Sequence, residues 1–247
     1  MIRSLILMFQ FMTRLPIPIE IEMDQKTISK GIVFLPLVGM VVGAISWAVY
    51  YLLSFINIDI AALGAVIANV AATGGLHIDG LSDTCDGFFS ARSRERILEI
   101  MKDSRVGTFG VIAIVLVLLA KYTLISNLPQ DIVSWALILT SGASRFAASF
   151  LITFAKSARP GGLGDLFSSS SSKAYFWLSA GIFSAIGIIL GGWSFIISLV
   201  VILAFGLLLM RRSYRIIGGL TGDVYGAAIE ISDILGLITF LVVGAWI

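Results

Sequence analysis

AYFWLSAGIFSAIGIILGGWSFIISLVVILAFGLLLM (174–210) runs without a charged residue. A helix crossing a bilayer needs about 20 apolar residues, so this stretch is too long for one crossing. It reads as two spans, 174–191 and 193–210, separated only by Gly192 and folded as a tight helical hairpin or as one long bent element. Further apolar stretches of the same kind lie at 32–56, 60–76, 106–125, 132–153 and 227–246. The composition agrees. Of 247 residues, 58% are hydrophobic and 13% charged, against about 45–50% and about 25% in ordinary soluble domains, and the mean hydropathy is +1.00. A soluble chain of this size has no interior large enough for that much apolar surface, which excludes disorder, a secreted scaffold and an ordinary cytosolic enzyme. The single cysteine, Cys85, excludes an intrachain disulfide, and a formal net charge of +2 argues against nucleic acid as a partner. Strand-length segments of alternating polarity, the mark of a membrane barrel, are missing. The expected fold is all-α: a polytopic integral membrane helical bundle of about seven transmembrane helices, one domain over 1–247, surrounded by lipid.

The opening MIRSLILMFQFMTRLPIP (1–18) is apolar but interrupted by Gln10 and Arg14. With no small-residue cleavage site after it, it reads as an N-terminal interfacial helix rather than a signal peptide, with Arg3 and Arg14 near the headgroups and Pro16 and Pro18 ending it. Segment 60–76 is short and runs into a polar motif, so it either crosses fully or breaks before the far side. Lysine and arginine concentrate at 3–30, 92–105, 156–173 and 211–215, while the alternate loops near 57–59, 127–131 and 191–192 carry none. That alternation satisfies the positive-inside rule. It places the N-terminus in the cytoplasm, the C-terminus outside, and every polar motif on the cytoplasmic face of a cell (inner) membrane.

The strongest motif is GGLHIDGLSDTCDGF (74–88). On a helix, Asp79, Asp83 and Asp86 at i, i+4 and i+7 share one face. Three carboxylates so close repel one another, a situation that a hard divalent cation such as Mg²⁺ relieves. Because Mg²⁺ usually takes only one or two carboxylates and shares its shell with water and phosphate, the expected site is a diphosphate anchor rather than a cage. The plain alternative is a solvated helix face at the membrane surface. His77 is the only histidine in the chain. It could be a general base, a donor to phosphate, or a structural tie at the helix end. Cys85 reads as packing.

Three further stretches support this one. In RSRERILEIMKDSRVGTFG (92–110), residues 92–100 read as a soluble amphipathic helix laced with ion pairs. Lys102, Asp103 and Arg105 then crowd the start of a span, a natural phosphate site. In KSARPGGLGDLFSSSSSK (156–173), Arg159 precedes a glycine-rich turn, and the serine run reads as a flexible connector. In GGLTGDVYGAAIE (218–230), Asp223 and Glu230 lead into the last span, with Asp233 close behind. Carboxylates within a span are costly and mark function by default. Arg145, in the fourth span, is the expected partner of Glu230.

These motifs, in this order, resemble the cobalamin synthase family, the adenosylcobinamide-GDP ribazoletransferases. The resemblance rests on QFMTRLPIP (10–18), GGLHIDGLSDTCDGF (74–88), MKDSRVGTFG (101–110), ARPGGLG (158–164) and TGDVYGAAIE (221–230), and covers nearly the whole chain. It implies the joining of adenosylcobinamide-GDP to α-ribazole or its 5′-phosphate, with Mg²⁺ and release of GMP. In that frame Asp79, Asp83 and Asp86 hold the metal. Lys102, Arg105, Arg159, Arg14, Asp223, Glu230 and Arg145 take phosphate or substrate, and His77 or Asp103 accepts the hydroxyl proton. Glycine-bearing spans would also permit a homo-oligomer. Two rival readings stand beside it. A CDP-alcohol phosphotransferase matches Asp83-Thr84-Cys85-Asp86-Gly87 followed by Ala91-Arg92, but with one extra residue in the gap and without the later paired aspartates. A seven-span transporter would use Arg145, Glu230 and Asp233 as an ion pathway, yet would place its polar groups at midplane.

Overall fold

The computed structural model describes residues 1–244. Its elements are helices: α1 (Ile2–Met12), α2 (Gln25–Gly31), α3 (Leu35–Ser54), α4 (Ile58–Thr73), α5 (Leu76–Phe88), α6 (Arg94–Ile100), α7 (Thr108–Asn127), α8 (Val133–Phe154), α9 (Leu163–Ser170), α10 (Lys173–Ile217) and α11 (Gly222–Gly244). A short 3-10 turn, Ile32–Phe34, joins α2 to α3, so that Gln25–Ser54 runs on as one apolar element.

α8 is the most enclosed of the long helices, with α3, α10 and α11 packed around it. The contact with α3 is set by Gly39 and Gly43, one turn apart. A Cβ at either would strike the α8 backbone, at Ser141 and Leu137. Small residues at this spacing let membrane helices touch main chain to main chain, where van der Waals packing replaces the missing hydrophobic drive. The outward faces of α7 and α10 carry Leu116, Leu119, Ile189 and Val200, all exposed. On an element long enough to cross a bilayer, such faces belong against lipid.

Five helices are long and apolar enough to cross a membrane, or six if α4 and α5 count as one bent crossing. Seven straight spans is therefore an approximation, for two physical reasons. α4 and α5 meet at 88°, because Gly74 and Gly75 between them both adopt left-handed backbone, with φ of 63° and 73°. α10 is interrupted at Gly192 (φ 51°, ψ −134°). Across that break the rings of Phe183 and Phe195 lie 5.3 Å apart, where a straight helix would hold these residues about 18 Å apart. The first arm packs Phe176 and Phe183 onto Phe146 of α8. The second arm returns far enough for the Lys156 N–H, beyond the end of α8, to donate to Tyr214 Oη at 2.6 Å. Of the two forms expected for 174–210, the hairpin is the one observed.

α1 is present as expected and buries Leu7, Met8 and Met12 against the bundle while Ile2 stays exposed. The serine run corrects the sequence reading. It is not a loose connector, because α9 extends through Ser170. Phe167 is buried in the bundle, and Ser168 Oγ donates to Ala155 O at 3.0 Å.

Candidate active site

The Gly74–Gly75 corner organises the site. It turns α5 away from α4 and leaves room for Arg14, whose side chain lies where a Cβ at Gly74 would be. The Arg14 N–H donates to Ala72 O at 2.8 Å, which fixes the segment after α1 to the end of α4.

α5 carries all three aspartates of the motif, as the spacing predicts. Their surroundings differ. Asp79, in the first turn, is exposed, and Asp83, one turn on, is half-buried. Asp86 is buried and committed to α7: it accepts from the backbone N–H of Gly107 at 2.7 Å and of Gly110 at 2.9 Å. These donors belong to the opening turn of α7, where N–H groups have no partner within the helix and a carboxylate is favoured by the dipole.

Opposite α5 stands the first turn of α11. Gly80 lies against the main chain of Asp223, at the spot where a Cβ would come within 2.8 Å of Asp223 O. Arg159 Nη2 is 3.9 Å from Asp223 Oδ2 and donates to Leu98 O at 3.2 Å. The loop bearing Arg159 is tied to the approach of α11 by two backbone bonds, Ala158 N–H to Leu220 O at 2.8 Å and Leu220 N–H to Lys156 O at 2.9 Å. Four motifs far apart in sequence thus converge on one cavity of about 290 Å³, lined among others by Phe11, His77, Asp79, Arg159, Asp223 and Tyr225.

The mouth of this cavity is charged. Asp79, Asp223 and Arg159 line it; Asp83, one turn beyond Asp79, does not, but lies near enough that the carboxylates of Asp79, Asp223 and Asp86 all act on it, with Arg159 the cation opposing them. Among the described residues, Asp79 and Asp83 form no ion pair. Nor do three or more acidic, histidine or cysteine groups stand together as a ready-made metal cage. The donor set still suits Mg²⁺, which is content with one or two carboxylates when phosphate completes its shell. Asp79 and Asp83 are the free ones.

The other expected residues fall in three places. Lys102 and Arg105 lie on the exposed loop before α7, and neither lines the cavity. Arg105 holds Asp103 through a 2.7 Å ion pair, and these hydrogen bonds pull the Asp103 carboxyl down to about 2. So acidic a group is a poor proton acceptor at neutral pH. His77 is 3% exposed and its Nε2 has no partner among the described residues. It borders the cavity on one side and lies within electrostatic reach of a buried ionic cluster on the other.

That cluster corrects the expected Arg145–Glu230 pair. Glu230 binds Lys121, at 2.8 Å. Lys121 also reaches Asp233 at 2.9 Å, and Arg145 meets Asp233 at 3.4 Å. Two cations and two anions from α7, α8 and α11 cancel inside the bundle, which is how charge survives burial. Arg145 and Glu230 therefore sit behind the cavity rather than in it. Lys121 escaped the sequence reading, although a lysine within an apolar span is itself a signal. Tyr225 and Phe167, which shape the cavity, had no signal beyond their places in the motif regions.

A family model described as cobalamin-5-phosphate synthase matches residues 4–241. The chain belongs to this family. The match to the cobalamin-5-phosphate synthases takes in every segment that meets at the cavity. Curated relatives named adenosylcobinamide-GDP ribazoletransferase align over nearly their full extent. The Clostridium novyi (strain NT) protein is 42% identical over 242 residues, 97% of this chain and 96% of the relative. The Citrobacter koseri protein is 41% identical over 240 residues, 95% and 97% of the two chains. The Clostridium tetani protein is 37% identical over 247 residues, 97% and 96%. No solved structure matches the chain. Membership of the cobalamin-5-phosphate synthase family makes the chain a membrane-embedded transferase of cobalamin biosynthesis, and favours neither the CDP-alcohol phosphotransferase nor the transporter.

Proposed function

We propose that this chain joins α-ribazole, or its 5′-phosphate, to adenosylcobinamide-GDP with release of GMP, at the cytoplasmic face of the cell membrane. The observation that carries the reading is the convergence of Asp79, Arg159 and Asp223 at the mouth of one cavity whose interior holds an unpartnered His77 Nε2.

Each residue has a task set by its surroundings. Asp79 and Asp83 would hold Mg²⁺, which when bound would supply charge neutralisation on the diphosphate oxygens. Arg159, half-buried and paired with Asp223, takes a phosphate oxygen, and Arg14, exposed at the Gly74 corner, supplies a second cation for the substrate's phosphates. An α-ribazole hydroxyl attacks the phosphorus bearing the cobinamide arm. The bond from that phosphorus to the bridging oxygen of GMP breaks, and GMP leaves in line. His77 Nε2 accepts the hydroxyl proton. Asp86 keeps α5 in register with α7, and the bundle walls exclude water that would otherwise hydrolyse the diphosphate.

The test is direct. Protein solubilised in detergent is incubated with adenosylcobinamide-GDP, α-ribazole and Mg²⁺, and GMP and the corrinoid product are separated and quantified. Adenosylcobalamin and GMP in equal amounts support the proposal; an intact GDP ester after prolonged incubation refutes it.

A further inference from the structure

The cavity is not uniform. Its mouth is polar and accessible, with Asp79 exposed and Arg159 and Asp223 half-buried. Its deep half is closed and apolar: Met12 is 4% exposed, Ile152 2%, Phe167 2% and Ile229 1%. The Phe167 ring stacks on Phe11, with centroids 4.4 Å apart and planes 26° from parallel. Within this enclosure two buried polar atoms form no close hydrogen bond among the described residues, Tyr225 Oη, which has the Ser168 hydroxyl as its polar neighbour, and His77 Nε2. Buried hydroxyl and imidazole groups are normally satisfied, and leaving one unpaired is costly. An apolar cavity with a few unpaired polar atoms is the usual form of a small-molecule site.

Resting on the function proposed above, we infer that the deep half of this cavity binds the base of the acceptor nucleoside, with the Tyr225 O–H donating to its free ring nitrogen. The size and chemistry of the chamber select this occupant. The whole cavity, mouth included, is about 290 Å³, at the low end of small-ligand sites, and a corrin ring with its amide arms is far too large for its deep half. Three nucleosides remain: guanosine and the adenosyl group, both carried by the activated substrate, and α-ribazole. Adenine presents an amino group and three ring nitrogens, more than two unpaired atoms can satisfy. Guanine presents a carbonyl, a ring N–H and an amino group along one edge. Two unpaired atoms in an otherwise apolar chamber cannot satisfy them, and buried polar groups left without partners reject a ligand strongly. Dimethylbenzimidazole has a single ring nitrogen able to accept a hydrogen bond and is otherwise apolar. Seated against Phe11 and Phe167 with its nitrogen on Tyr225, it leaves the ribose beside His77 and the charged mouth. Met12 and Ile152, at the closed end, then set how large a base fits.

The experiment measures both substrates separately. Thermal stabilisation of detergent-solubilised wild-type protein by α-ribazole alone, without corrinoid or Mg²⁺, is compared with stabilisation by GMP. Steady-state constants are then determined for Tyr225→Phe and Ile152→Phe. The inference predicts stabilisation by α-ribazole. It also predicts that Tyr225→Phe raises the KM for α-ribazole about 5- to 10-fold, the loss of one hydrogen bond, while the KM for adenosylcobinamide-GDP moves less than about twofold. Ile152→Phe should shift preference toward the unmethylated benzimidazole riboside. A rise confined to the KM for adenosylcobinamide-GDP, or stabilisation by GMP and not by α-ribazole, would overturn the inference and leave the overall reaction standing. Stabilisation by α-ribazole with no turnover of wild-type protein would support the chamber and refute the reaction.

Discussion

Asp86 and Gly107, 21 positions apart, are joined by a 2.7 Å hydrogen bond from the backbone N–H to the buried carboxylate. With the companion bond from Gly110, it makes the third aspartate of the motif a clamp between α5 and α7. Asp86→Ala removes an acceptor that two buried donors require. The expected cost is about 2–3 kcal/mol, read as a lowered thermal midpoint in detergent. Asp79→Ala, at an exposed position, should leave that midpoint within about a degree or two. Equal midpoints for both variants would remove the distinction.

The buried charges predict a rescue. Lys121→Met leaves Glu230 and Asp233 facing Arg145 alone, and breaking a buried pair by removing one partner costs about 3–5 kcal/mol. Adding Glu230→Gln restores neutrality, so the double variant should be more stable than Lys121→Met alone. Detergent melting of Lys121→Met, Glu230→Gln, the double variant and wild type checks this; an additive double variant would mean that Lys121 and Glu230 do not interact.

Asp103 yields a pH prediction. Its carboxyl is held down to about 2 by Arg105, below its unfolded value. The pairing is therefore complete above about pH 4 and is lost as pH falls through about 2. No part of a rate profile between pH 5 and 9 should come from this group. Asp103→Asn is expected to keep the apparent pKa values of wild type over that range, whereas His77→Gln should flatten the limb that reports the base. A shifted profile in Asp103→Asn would return the proton-accepting role to it.

The corner between α4 and α5 separates two causes of damage. Gly74→Ala and Gly75→Ala both place a side chain in left-handed backbone, at about 1 kcal/mol. A Cβ at Gly75 meets nothing, but one at Gly74 meets Arg14. Gly74→Ala should therefore lose more activity than Gly75→Ala, with the difference in the KM for adenosylcobinamide-GDP. Equal losses would detach Arg14 from the site.

Much of this was legible beforehand because membrane helices announce themselves by length and apolarity, and because spacing alone puts Asp79, Asp83 and Asp86 on one helix. The distinct fate of Asp86 was not legible: three identical side chains on one face differ only in what stands opposite, and Gly107 and Gly110 come there through the tertiary fold. The serine run misled because composition reports solubility of a segment, not the anchoring that Phe167 gives α9. The partners of Arg145 were misassigned because Lys121, a single charge within an apolar run, was absorbed into the span that contains it.

The central claim is that Asp79 and Asp83, rather than Asp86, bring a divalent cation to the diphosphate. The most direct test is turnover of adenosylcobinamide-GDP as a function of Mg²⁺ concentration for Asp79→Asn, Asp83→Asn and Asp86→Asn beside wild type. The account predicts that the first two raise the half-activating Mg²⁺ concentration about 10-fold or more, and that Asp86→Asn, whatever its remaining activity, keeps the wild-type value. Wild-type Mg²⁺ dependence in Asp79→Asn and Asp83→Asn, or a shift confined to Asp86→Asn, would contradict it.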